Sequence, residues 1–139
     1  MEAVLPAVVS GSGRVLVGTK DPEIRAYRAS DGGLDWKVPL PGQPSEVAVG
    51  NDDVAYVLVG AAGQVLGIDL SAKAVRYTWA SVPGGGATMI LRAGMAYVLG
   101  TSKLTAFPVP ATSYDLASPW PTRFHDNQRT CDRSGTLAF

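Results

Sequence analysis

Residues 14–36 read RVLVGTKDPEIRAYRASDGGLDW: two short apolar runs, a polar break after each, then a tryptophan. The stretch decides the fold because its parts return. RVLVGT, from Arg14 to Thr19, comes back as AYVLVGA from Ala55 and as AYVLGT from Ala96, and Gly18, Gly60 and Gly100 lie 42 and 40 residues apart. The next run repeats too, as IRAY from Ile24, VLGI from Val65 and LTAF from Leu104, with a small residue, Ala26, Gly67 or Ala106, at its third place. Trp36, Trp79 and Trp120 are 43 and 41 residues apart and take about the same phase of each unit. A fixed period near forty residues marks a repeat architecture.

The runs are four to seven residues long, rich in Val, Tyr, Leu and Ile, and bounded by SGSG, SDGG, GNDD, GAAG, PGGG or RAG. That is strand chemistry: Gly supplies positive φ at tight connections, and Asp or Asn bonds its own neighbouring backbone. Sixteen glycines and ten prolines leave no window for a helix with apolar residues three and four apart over ten positions. Four strands are expected per unit. In the first they run Val4 to Val9, Arg14 to Thr19, Glu23 to Arg28 and Leu34 to Val38; in the second, Glu46 to Val49, Val54 to Gly60, Gln64 to Asp69 and Ala74 to Ala80. The third offers Thr88 to Arg92, Met95 to Gly100 and Lys103 to Phe107. Any fourth strand there must be short or at an edge, because Pro108, Pro110, Pro119 and Pro121 remove ladder donors.

A four-stranded antiparallel unit with this period is the pattern of a β-propeller blade. The expected fold is therefore all-β, with about three blades at residues 1–43, 44–84 and 85–116 and a C-terminal tail at 117–139. The small residue of each third strand suits a close approach of neighbouring blades. The tryptophan of each fourth strand suits packing between them.

GSGRVLVGTKDPEIRAYRASDGGLDWKVPL, residues 11–40, resembles the pyrroloquinoline-quinone-type repeat: a turn glycine, a V-x-V-G-T-like strand, an L-x-A-x-D-like strand, a T-G-like turn and a tryptophan. The second unit fits with AYVLVGAAGQVLGIDLSAKAVRYTW, keeping Asp69 but placing Ser71, Ala72 and Lys73 where the turn glycine is usual. The third fits through LTAF alone. SPWPTRFHDNQRTCDRSG resembles a segment common beside such propellers, W-P-x-x-x-x-D-x-x-x-T-G, matching at Trp120, Pro121, Asp126 and Thr130 with Cys131 in the glycine's place. The resemblance implies quinone-dependent dehydrogenases, an outer-membrane assembly lipoprotein that acts as a scaffold, or extracellular sensory domains. It suggests a periplasmic or extracellular setting. For the dehydrogenases it further implies a cofactor on the propeller axis beneath a stacked tryptophan, calcium ligands, a catalytic aspartate and often a vicinal disulfide. A single cysteine forbids that disulfide, and no Glu-Asn-Asp ligand set maps onto this chain.

Composition narrows the function classes. The 139 residues carry 12 basic and 12 acidic side chains, and the basic ones are scattered apart from Arg123, Arg129 and Arg133, so no nucleic-acid stripe exists. MEAVLPAVVS carries an acidic residue where a secretory signal needs positive charge, and Gly, Pro or a charge breaks every apolar run before membrane-spanning length.

Isolated chemical candidates have structural explanations. His125 beside Asp126 lacks an orienting partner for acid–base work. PGGGAT, from Pro83 to Thr88, lacks the Lys-Ser/Thr of a phosphate loop and reads as an inter-blade connection. Asp52 and Asp53 suit a turn without calcium, and Cys131 reads as a passive residue. No catalytic, cofactor-binding or metal-binding residue is assigned.

Three repeats fall short of the four to eight blades of a propeller, leaving open edges and apolar faces that need a cover. A protein partner or self-association is expected, including two triplets closing a six-bladed ring, with Trp120, Phe124 and Phe139 as candidate contacts. The functional expectation is a non-catalytic scaffold or protein-binding module. The alternatives are a fragment of a quinone-dependent oxidoreductase and a sensory or carbohydrate-binding propeller domain.

Overall fold

The computed structural model describes residues 2–5, 7–79, 88–100 and 103–113. Its described elements are eleven strands in three antiparallel sheets, ordered β1-β2-β3-β4, β5-β6-β7-β8 and β11-β10-β9. Blade 1 holds β1 (Val8–Val9), β2 (Arg14–Thr19), β3 (Glu23–Arg28) and β4 (Leu34–Pro39). Blade 2 holds β5 (Glu46–Val49), β6 (Val54–Val59), β7 (Gln64–Asp69) and β8 (Ala74–Trp79). Blade 3 holds β9 (Thr88–Arg92), β10 (Met95–Leu99) and β11 (Leu104–Pro108).

The expected strands are present with one correction of substance. The first was expected over Val4 to Val9, but the ladder there is only Val8–Val9 on Val15 and Leu16, with Ala3 bridging Thr19 separately. Pro6 stands between the two pairings and has no N–H to continue the ladder.

Strand pairing defines which residues are equivalent between blades, and it revises two sequence alignments. Leu16 pairs Ala26, Tyr56 pairs Gly67 and Tyr97 pairs Ala106, so the small residues do occupy one position. Gly18 lies inside β2 opposite Ile24, whereas Leu58, the matching residue of β6, pairs Val65. Gly60 and Gly100 lie just past their strands, so the three glycines are not equivalent. Nor are the tryptophans. Trp36 pairs Ala26, but the residue opposite Gly67 is Tyr77, and Trp79 sits two places on, opposite Val65, where blade 1 has Val38 opposite Ile24. Strand periodicity keeps residues two apart on the same face, which is why the spacing looks regular.

The pairing also explains the small residue. A Cβ on Gly67 would meet Tyr77 Cδ2 at 2.9 Å, Tyr77 Cβ at 3.1 Å and Val54 Cγ1 at 3.2 Å. All three atoms belong to blade 2, so the crowding arises within the blade rather than between blades. Both complete blades carry a register shift at the same place, between Ala26 and Tyr27 and between Gly67 and Ile68. The hairpin that follows holds one residue at positive φ, Gly32 at 74° in blade 1 and Lys73 at 59° in blade 2. Lys73 thus adopts the left-handed conformation where a turn glycine was expected.

Two apolar clusters fill the seams. Between blades 1 and 2, Leu16, Ile24, Ala26 and Trp36 pack with Val57, Val59, Leu66 and Ile68. Between blades 2 and 3, Tyr56, Leu58 and Val65 pack with Met89, Leu91, Ala96 and Val98. Both faces of β6 are therefore covered, and every residue of it is buried.

Candidate interaction surface

The blade 2–blade 3 seam shows how one blade receives another. The Trp79 ring lies 5.5 Å from Tyr77 and 5.9 Å from Tyr56, and reaches the Phe107 ring of blade 3 at 5.6 Å, in the offset and tilted arrangements aromatic rings favour. Tyr56 is fully buried. Its hydroxyl donates to Asp52 Oδ2 at 2.7 Å and accepts from the Ala111 backbone N–H at 3.2 Å. Burial and the Asp52 carboxylate push the phenol pKa above its usual value. At the inner strands, Thr88 Oγ1 donates to Glu46 Oε2 at 2.8 Å, which gives a buried carboxylate a partner across the seam.

Blade 3 departs from its siblings after β11. In blades 1 and 2 the chain makes the same bond at this point, Ala29 N to Gly13 O and Leu70 N to Asp53 O, then turns into a fourth strand. Val109 N repeats that bond on Gly94 O. The next step differs because Pro108 and Pro110 have no N–H, whereas their counterparts Arg28 and Ser71 donate into the hairpin. The chain crosses instead to blade 2, where Asn51 Nδ2 donates to Thr112 Oγ1 and Asn51 Oδ1 accepts from Thr112 N. Gly50 is required at this crossing, since a Cβ there would stand 2.6 Å from Ala111 Cβ. The proline expectation for the fourth strand therefore holds through residue 113, and β11 has no outer neighbour among the described residues.

Alternation places Met89, Leu91, Ala96 and Val98 of blade 3 in the seam. The opposite face carries Ile90, Met95, Tyr97, Leu99, Leu104 and Ala106, joined as the pairs Tyr97–Ile90, Tyr97–Ala106 and Leu99–Leu104. Leu99 is 50% and Leu104 65% exposed. Their equivalents in blade 2, Leu58 and Val65, are fully buried, as is Tyr56, the equivalent of Tyr97. An apolar face buried in two blades is thus open in the third. Reading the sequence for aromatic anchors misses it, although the alternation of YVLG and KLTAF contains it.

The opposite end of the array presents a different surface. The outward face of blade 1 carries Glu23, Arg25 and Lys37. Arg25 Nε meets Glu23 Oε2 at 2.8 Å, Lys37 Nζ meets Glu23 Oε1 at 3.2 Å, and Arg25 Nη2 reaches Asp21 at 3.5 Å. The hydrogen bond from Arg25 holds the Glu23 carboxyl below its usual range, with Lys37 adding to the effect. The seam of blades 1 and 2 carries its own polar rim, with Asp35 bonded to Arg14 at 2.7 Å and reached by Lys73 of blade 2 at 3.6 Å.

Asp53 takes φ 57° in the β5–β6 turn and accepts from Ser12 and Ser71, while Asp52 accepts from Tyr56, so both carboxylates bond side chains outside the turn. Trp120, Phe124, Phe139, His125, Asp126 and Cys131 lie outside the described residues, as does most of the Pro83 to Thr88 loop. Among the described residues no group of three or more His, Cys, Asp or Glu is placed to hold a metal ion, and no helix is long and apolar enough to cross a membrane.

No family model matches the sequence, and no curated protein does. Solved structures do match. The WD40 repeats of RRP9 superpose with a TM-score of 0.69 at 15% identity, over 82% of this chain and 38% of that one. The chain is a partial β-propeller. The hydrazine synthase of Kuenenia stuttgartiensis gives 0.66 at 15% identity over 82% of this chain and 36% of that chain. BamB from Moraxella catarrhalis gives 0.61 at 19% over 81% and 35%. This partial propeller thus spans little more than a third of the length of these three proteins. Likeness to WD40 repeats and to BamB alike shows propeller blades as a class rather than one repeat family.

Proposed function

We propose that the chain is a non-catalytic scaffold or protein-binding module whose blades complete a larger propeller or assembly. The observation that carries this reading is the open apolar face of blade 3. On its three described strands it repeats the face that blade 2 buries beneath blade 3, with Tyr97, Leu99 and Leu104 at the places of Tyr56, Leu58 and Val65. An exposed apolar surface next to an unpaired strand is a docking surface for a sheet. The repeat pattern of residues 11–40 supports a pyrroloquinoline-quinone-type blade and, with it, a bacterial cell-envelope setting.

Two measurements test the reading. Calorimetric titration with pyrroloquinoline quinone and Ca²⁺ is expected to show no saturable heat, and stoichiometric binding would replace the scaffold with an enzyme fragment. An apolar dye such as anilinonaphthalene sulfonate is expected to bind the folded chain, and the double variant L99E/L104E to lose most of that signal without losing the fold. A folded wild-type chain that binds no dye would contradict a docking role for this face.

A further inference from the structure

The two open ends of the array do not match each other. Pairing makes Arg25 the equivalent of Leu66, Glu23 of Gln64 and Lys37 of Thr78. Leu66 is one of the residues with which blade 2 packs against blade 1. A second copy docking its blade 1 onto blade 3 by the seam geometry already present twice would therefore set charged Arg25 where the first seam has Leu66 and the second Thr105. The surface beneath would be Leu99 and Leu104, which stand where blade 1 has Gly18 and Ile24 and blade 2 has Leu58 and Val65.

That contact would strip water from Glu23, Arg25 and Lys37 over a mainly apolar face, Leu99 and Leu104 with Tyr97 beside them, that holds no opposite charge among those residues, and buried ions are tolerated only with partners that offset their lost hydration. The side chains of Glu23 and Arg25 are 15% and 20% exposed and their charges answer one another within blade 1. The cluster is thus complete without a cover, as the polar outer face of a terminal repeat is.

We infer that the open face of blade 3 receives a propeller blade with uncharged side chains at the positions of Arg25 and Lys37, and that the charges on blade 1 bar a second copy of this chain. The inference rests on the proposed binding role and names its partner class. The ring of two identical triplets is therefore the closure the charges disfavour.

The test exchanges the charges of blade 1 for their blade 2 equivalents. By light scattering the wild-type chain is expected to run at its 14.5 kDa monomer mass. The variant E23Q/R25L/K37T is expected to self-associate, and adding L104E to it is expected to restore the monomer. R25L alone, a smaller change, is expected to associate more weakly and covers the case in which the triple variant does not fold. A wild-type oligomer abolished by L104E would overturn the inference and leave the binding role standing. Folded R25L and triple variants that both stay monomeric would overturn both, because a blade with the right chemistry would then have failed to dock.

Discussion

Gly67 lies directly opposite Tyr77 in blade 2, with room for a hydrogen but not for a methyl group: an added Cβ would stand 2.9 Å from Tyr77 Cδ2. Gly67→Ala must therefore displace a ring that itself stacks on Trp79. Overpacking of this kind costs about 1–3 kcal/mol, read as a lowered midpoint in urea. The reverse change in blade 1, Ala26→Gly, is expected to cost less, about 0.5–1 kcal/mol of backbone entropy with a small cavity beside Trp36. Equal effects at the two sites would contradict the crowding account.

Tyr56→Phe removes a hydroxyl that serves both Asp52 and the Ala111 amide. The loss leaves two buried or half-buried polar groups without that partner, which places the cost at about 1–3 kcal/mol. The same hydroxyl predicts an alkaline limb. Its pKa is raised on folding, so its contribution is complete below the ordinary phenol value of 10.0 and is lost as pH rises toward the folded value. Wild-type stability is expected to decline above about pH 10, and Tyr56→Phe to flatten that decline. An identical limb in the variant would assign it to other groups.

Asp35 links the rim of the first seam to both blades. Its carboxyl is held below the usual 3.8 by the hydrogen bond from Arg14, with Lys73 of blade 2 contributing. A lowered folded pKa means stability that is present above 3.8 and lost as pH falls below it through the folded value. Glu23, Asp31 and Asp69 are shifted the same way, so the acid limb is shared. Asp35→Asn is expected to be less stable than wild type at pH 6 and to converge with it as pH falls below 3.8 through the lowered folded value, as measured by denaturant midpoints. A gap that persists at low pH would show that the loss is steric.

Much of this fold is legible in the order of residues alone. Strand chemistry and the forty-residue period specify the strands of all three blades, because short Val- and Tyr-rich runs between Gly, Asp and Asn leave the backbone few choices. What misleads is spacing taken as equivalence. Gly18, Gly60 and Gly100 repeat to within two residues yet occupy different places, and Trp79 is two residues beyond the place of Trp36. For Gly60 and Trp79 the slip is two places, which the period of a strand hides because a residue two places on keeps its face, whereas Gly100 is one place past Leu99, the equivalent of Gly18. Only the hydrogen-bonded partner reveals such slips.

The candidate surface is harder to see for a different reason. Aromatic anchors point to Trp120, Phe124 and Phe139, which lie outside the described residues. Leu99 and Leu104 are ordinary as residue types. They acquire meaning only through the burial of Leu58 and Val65 at the equivalent positions one blade earlier. The charge cluster on blade 1 is only partly visible in the sequence, because Glu23 and Arg25 are two places apart on one strand but Lys37 joins them through strand pairing.

Hydrogen exchange of β11 against β7 tests the central claim, an open third blade, most directly. β7 is paired on both sides and mostly buried, whereas β11 has β10 on one side and no described strand on the other. Backbone amides paired inside a core exchange only by large openings, and those at an edge by local ones. The account predicts that amides of 104–107 exchange at least about a hundredfold faster than those of 64–69 in the isolated chain, a difference of roughly 2.7 kcal/mol. Protection of β11 equal to that of β7 would mean that the edge is already covered, and the open-blade account would be wrong.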